Sequence, residues 1–281
     1  MLLFARIMST ALLVLFSMEV GAVEISLSGD TWSYGIVFKG GTKLTLDGSG
    51  QKPVRGTLAS SYRSRDINWL AGTEISLNDK LEVMSGTVDA GQSAISVPLK
   101  PSTLLRFNQN GQVIYCTFAS SINIDGLVFD PEPIIFYENG WIKSGTISKP
   151  FTFNAPGTGA LFTASPGIVL FYPNNSSTTP LHFGAIQSAK LAMNHIDRAQ
   201  TLPAGATIRL SASGAVIGID STSQFAYLGI ALQGGGRIQV FENGQSSLQP
   251  YQAVQINGKT YPAFSFIFLS PEGGVVGVPP Q

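Results

Sequence analysis

The sequence predicts an all-β protein: an array of about eight antiparallel β-hairpin repeats of ~30 residues, forming an elongated sheet or sandwich-like stack. Three observations carry the prediction. A pair of apolar residues flanking a single spacer recurs at nearly constant steps. Turn-forming residues follow each copy at once. Charge is sparse and glycine plentiful, with 34 charged side chains and 31 glycines in 281 residues, and strong helix-forming stretches are nearly absent.

Residues 1–22 read as a secretory signal. One cation, Arg6, precedes the apolar run Ala11 to Phe16, and small residues Gly21 and Ala22 close the segment. The run is shorter than the ~20 residues a membrane-spanning helix needs. This implies export to the periplasm, the cell surface or the medium.

The repeat then occupies the chain in two halves, 23–160 and 161–281. Its apolar pairs are Leu44/Leu46, Ile75/Leu77, Leu105/Phe107, Ile135/Tyr137, Val169/Phe171, Ile208/Leu210, Ile238/Val240 and Ile267/Leu269, at steps of 31, 30, 30, 34, 39, 30 and 29 residues. The longer steps mark a seam or an inserted loop near 172–205. Asp47-Gly48, Asn78-Asp79, Asn110-Gly111, Asn139-Gly140, Asn174-Asn175, Ser213-Gly214, Asn243-Gly244 and Glu272-Gly273 supply the bends. Three are Asn-Gly, the pair suited to a type I′ turn because both central residues then take positive φ. Each unit is therefore expected to be a hairpin and not a rung of a parallel β-helix. A returning strand follows, seen as Gly56-Thr57-Leu58, Gly86-Thr87-Val88, Cys116-Thr117-Phe118 and Gly145-Thr146-Ile147 at steps of 30, 30 and 29. Cys116 stands at a glycine position, which suits a small buried side chain.

The spacers Thr45, Ser76, Arg106, Arg209 and Gln239 are polar, as expected for a sheet with one face on a core and one toward water. Phe136, Leu170 and Phe268 break that rule. Cover by a loop or by the other half of the chain explains them most simply, and an apolar binding patch is the functional alternative. Residues 184–200 contain good helix formers, Ala185, Ala189, Leu191, Ala192 and Met193. The segment nevertheless aligns with an earlier unit at an offset of 133, Leu58-Ala59 with Leu191-Ala192 and Ala71-Gly72 with Ala204-Gly205, which favours strand and loop.

Tyr137-Glu138-Asn139-Gly140-Trp141-Ile142-Lys143-Ser144-Gly145 resembles the hairpin of bacterial MORN-type repeats, with an aromatic before Asn-Gly and a glycine shortly after. The resemblance covers these nine residues. It implies a stacked-hairpin architecture and a binding or scaffolding role.

Seventeen basic and seventeen acidic residues provide no basic footprint for nucleic acid. No cofactor is expected. His182 and His195 are the only histidines and Cys116 the only cysteine, a poor set for a metal. Nucleophile-elbow and phosphate-loop motifs are lacking. Asp47, Asp79, Glu138, Glu242 and Glu272 fall in expected turns, where solvated acids are ordinary. Asn174 to Ser177 reads as an exposed polar loop.

These features point to an exported, non-enzymatic binding or structural protein of the bacterial envelope or cell surface, with an envelope glycan or protein as partner. Membrane association is not predicted, and exposed sheet edges would permit a homo-oligomer. Two alternatives stay open: an exported carbohydrate-active enzyme, which needs a carboxylate pair at fixed separation, and an outer-membrane β-barrel.

Overall fold

The computed structural model describes residues 22–173, 181–197 and 200–277, and forms two compact units that divide between Ser120 and Ser121. That division falls earlier in the chain than the expected boundary at 160/161. The signal segment, apart from Ala22, and the loop Asn174 to Ser177 lie outside the described residues. All regular structure among the described residues is β.

In the first unit an antiparallel ladder passes through Val23–Ser26, Lys43–Leu46, Pro53–Thr57, Glu74–Leu77, Val83–Thr87, Leu104–Phe107 and Val113–Thr117, each paired with the next. The second unit repeats the scheme through Pro133–Phe136, Ile142–Ile147, Gly167–Phe171, Ile186–Lys190, Thr207–Leu210, Val216–Ser221, Gly236–Val240, Ser246–Pro250, Ile267–Leu269 and Val275–Gly277. The ladders are open and not closed into barrels. Alternation sends Leu44, Ile75, Leu105, Val169, Ile208, Ile238 and Ile267 inward, where each is buried.

Among the described residues the expected reversals occur, but their geometry differs from the type I′ turn. At Asn110-Gly111 only the glycine has positive φ, and Gly111 N–H donates to Asn108 O at 2.9 Å while Asn108 N–H donates to Gln112 O at 2.8 Å. Gly140 and Gly244 repeat this pattern with Tyr137 and Phe241. This is a three-residue connection, a type I turn ending in a left-handed glycine. The residue opening the turn also holds it from its side chain. Asn108 Oδ1 accepts from the N–H groups of Asn110 and Gln112, Asn78 Oδ1 from Lys80 and Glu82, and Asp47 Oδ1 from Gln51 and Lys52.

The genuine type I′ turns lie in a second set of hairpins that the sequence reading leaves as loop. Thr31–Ser33/Ile36–Phe38, Tyr62–Ser64/Ile67–Trp69, Ser93–Ala94/Val97–Pro98, Ile122–Ile124/Leu127–Phe129, Phe225–Tyr227/Ile230–Leu232 and Val254–Ile256/Lys259–Tyr261 are joined by Tyr34-Gly35, Arg65-Asp66, Ile95-Ser96, Asp125-Gly126, Leu228-Gly229 and Asn257-Gly258, with positive φ at both residues of each pair. Each repeat therefore holds two hairpins. Phe38, Trp69, Leu99 and Phe129 from this layer are buried, as are the inward residues of the ladder.

That second layer explains the glycine signature. A Cβ on Gly56 would stand 2.6 Å from Phe38 Cδ1, one on Gly86 2.7 Å from Trp69 Cε3, and one on Gly145 2.8 Å from Phe129 Cδ1. In these copies the ring of the short hairpin packs against the glycine of the adjoining ladder strand. In the third copy the ring is replaced by Leu99, which bridges to Phe118, and the glycine by Cys116. By its place in the repeat Leu99 stands where the ring stands in those three copies, and Cys116 is fully buried.

Residues 184–200 contribute the strands Ile186–Lys190 and His195–Asp197 and the first residue of Gln200–Leu202, with no helix among those described. The offset of 133 is structural: Leu58 N–H donates to Thr73 O and Gly72 N–H to Leu58 O, while Leu191 N–H donates to Ala206 O and Gly205 N–H to Leu191 O.

Candidate binding surface

The solvent face of each ladder carries the spacer residues. In the first unit it is polar, with ion pairs Lys43–Glu24 at 2.5 Å and Arg55–Glu74 at 2.6 Å, and Arg106 over the Tyr115 ring at 5.9 Å. In the second unit it carries exposed Ile135, Ile168 and Leu170 near the start, polar Thr207, Arg209, Arg237 and Gln239 in the middle, and phenylalanines near the end.

The three sequence-predicted patch residues do not come together. Phe136 is a correction: it is 4% exposed and belongs to the core, while Ile135 takes the outward place at 40%. Ile134-Ile135-Phe136 is apolar in both phases, and a slip of one residue exchanges the faces of a strand. The register Ile135↔Ser144 fixes the phase one residue earlier than the apolar pair suggests. Leu170 does face solvent, beside Ser144 and Ser188, with Ile168 exposed on the same strand. Phe268 lies six ladder strands further on, about 29 Å away at ~4.8 Å per strand.

Phe268 belongs to a different cluster, most of which the sequence reading missed. Register places Ser247 opposite it, and its ring stacks on Phe241 at 6.5 Å between centroids and 25° between planes. Phe266, two residues earlier, is 51% exposed. Phe264, 61% exposed, meets the Tyr251 ring at 5.9 Å. Polar groups adjoin these rings. Tyr251 Oη donates to Asp220 Oδ1 at 2.5 Å, and Arg237 donates to Asp220 Oδ2 from Nε at 3.0 Å, with Nη2 at 2.9 Å from the same oxygen. Gln249, opposite Arg237 in the ladder, donates from Nε2 to Phe264 O at 3.2 Å. Partial burial and the bond to Asp220 push the Tyr251 phenol up, so it remains protonated and a donor. The hydrogen bond to Asp220 likewise raises the Arg237 pKa.

Elsewhere a cleft of about 480 Å³ lies between the hairpins around His195–Asp197 and Phe225–Tyr227. Asn194, Gln200, Thr201, Gln224 and Phe225 line it. Two of its amide oxygens are committed to backbone: Asn194 Oδ1 accepts from Ala204 N–H at 2.7 Å and Gln200 Oε1 from Leu228 N–H at 2.9 Å.

His182, His195, Cys116 and Asp47 have structural partners or are sealed in the core. His182 Nδ1 pairs with Asp125 Oδ2 at 2.7 Å beside the Trp141 ring. His195 packs on the Phe162 ring at 4.0 Å, and burial lowers its pKa. Burial pushes the Cys116 thiol up to about 12, where it is unreactive at neutral pH. Hydrogen bonds from Ser49 and from the backbone of Gln51 and Lys52 hold the Asp47 carboxyl below its usual range, as a turn former. Among the described residues no group of three or more His, Cys, Asp or Glu is placed to hold a metal ion, and no helix is long and apolar enough to cross a membrane. No family model and no curated protein matches the chain.

Proposed function

We propose that this chain is an exported, non-enzymatic binding or structural protein of the bacterial envelope or cell surface, acting through the solvent face of its second unit. The carrying observation is that Phe241, Phe264, Phe266 and Phe268 are each at least partly exposed near the last strands of the second unit's ladder. Exposed aromatic side chains gathered on neighbouring strands and their connections are a common mark of a contact surface. Export is supported by the signal-like composition of residues 1–22. Ladder strands of three to six residues favour this reading over a membrane barrel, whose spanning strands need ~9–11.

Cell fractionation with N-terminal sequencing of the recovered chain tests the compartment. The expected product begins after Ala22 and is found outside the cytoplasm. Purified envelope material should retain the mature chain, and Phe266→Ser with Phe268→Ser should abolish retention. An intact N-terminus in the cytoplasm, or polysaccharide turnover lost on replacing one carboxylate, would overturn the proposal.

A further inference from the structure

We infer that the aromatic surface takes a neutral saccharide, with the ring of Phe264 as the stacking platform; this rests on the binding role proposed above and names its ligand class. Three other repeats place glycine where Phe264 stands, and another places Ser102, whose N–H donates to Val88 O at 3.0 Å at a φ of 58°; Phe264 is the bulky member of the set. The N–H of Gly41 donates to Leu27 O, that of Gly72 to Leu58 O and that of Gly205 to Leu191 O, at 2.7, 2.8 and 2.9 Å. Phe264 N–H makes the same bond to Pro250 O at 2.7 Å. The φ angles are 75°, 76° and 80° for the glycines and 62° for Phe264.

A bulky residue in the left-handed region is strained, because Cβ crowds the backbone carbonyl. Burial of the ring could repay that strain, yet the residue is 61% exposed. The contact with the Tyr251 ring leaves most of the Phe264 side chain in solvent, so packing offsets little of the strain. A local rule broken with little structural compensation points to function.

The surroundings define the ligand. The carboxylate of Asp220 is matched by the guanidinium of Arg237, so this pair carries no net charge to recruit an anion or a cation. Both groups retain hydrogen-bonding capacity: the carboxylate has further lone pairs, the guanidinium further N–H groups, and the Gln249 side-chain oxygen is an acceptor. A pyranose presents the complement, an apolar face of C–H groups that lies against an aromatic ring and a rim of hydroxyls that both donate and accept. A lipid surface fits less well, since interfacial apolar faces are usually bordered by cations and not by a carboxylate.

Affinity electrophoresis of the mature chain in gels containing glucan, mannan or galactomannan tests the inference, with alginate gels and phosphatidylcholine vesicles as comparison. Retardation by at least one neutral polysaccharide is expected. Phe264→Gly should weaken it about tenfold or more, while the thermal midpoint holds or rises by about 2–4 °C because glycine relieves the backbone. A merely structural Phe264 would lower both together. Asp220→Asn should weaken retardation without abolishing the fold. Equal retardation of wild type and Phe264→Gly, preference for alginate or vesicles, or no retardation in any neutral gel overturns the assignment. If the exported chain still holds envelope material in that case, the ligand class alone has failed; recovery in the cytoplasm would instead remove the functional reading.

Discussion

Replacing Gly86 by alanine tests the packing rule on which the two-layer architecture rests. The added Cβ would lie 2.7 Å from Trp69 Cε3 and 2.9 Å from Ile75 Cγ2, against ~3.5–4.0 Å for an ordinary carbon contact. Something must move by about 1 Å. Overpacking of this kind costs about 1–3 kcal/mol. Gly86 is not at positive φ, so alanine recovers about 0.5–1 kcal/mol of backbone entropy, and the net expectation is a loss of about 1–2 kcal/mol. Trp69→Leu alone opens a cavity and should cost about 2–4 kcal/mol. In the Trp69→Leu background the added methyl has room, and Gly86→Ala should become neutral or stabilising. The cycle then shows a favourable coupling of about 2 kcal/mol. Urea denaturation of the four proteins, followed by circular dichroism, measures it. Additivity within about 0.5 kcal/mol would refute the claim that the ring excludes a side chain at this position.

Three further outcomes are expected. Ser246 is fully buried with its hydroxyl unpaired, at the ladder place held by Val83, Val113 and Val216 in other repeats; Ser246→Val should stabilise by about 1 kcal/mol after repacking, and a lowered thermal midpoint would contradict this. His195 has its Nε2 buried and unpartnered and a folded pKa below the ordinary ~6.5, so the unfolded chain binds its proton more readily. Its contribution is complete above about pH 6.5 and is lost as pH falls toward the folded value; His195→Phe should flatten the thermal midpoint between about pH 6.5 and 5, and identical slopes in both proteins would refute that role. Cys116, buried with its thiol pushed up to about 12, should react with an aromatic disulfide reagent only on unfolding, and rapid native labelling would place it elsewhere.

The array, its period and its reversals were legible because apolar pairs and Asn-Gly bends repeat at almost constant steps. The second hairpin was not. Its strands have two to four residues, too few to show a period, and several of its turns use Arg65-Asp66, Ile95-Ser96 or Leu228-Gly229, pairs with weak turn signatures. Phe136 was misplaced because three successive apolar residues suit either face. The step of 29 residues from Cys116 to Gly145 contained the answer, since it shifts the fourth copy by one and puts Ile134 in phase with Leu105. Phe268 was marked by its departure from the polar spacers, but its neighbours Phe241, Phe264 and Phe266 lie in connections, outside the motif being tracked.

Departures from the repeat separate into two kinds once the layers are known. Cys116 in a glycine position is matched by Leu99 where other copies have a ring, so the change in one layer is absorbed by the other and says nothing about function. Phe264 takes a position held by glycine in three copies and by Ser102 in another; its ring meets Tyr251 yet stays 61% exposed, and its backbone remains in the left-handed region. In a repeat fold every copy is a control for the rest, and an uncompensated departure costs stability that packing does not return. Such costs persist in natural chains mainly where another requirement holds them. That asymmetry, and not exposure alone, directs attention to the aromatic end of the ladder over the Leu170 region, where Ile168 is exposed to a similar degree but breaks no backbone rule.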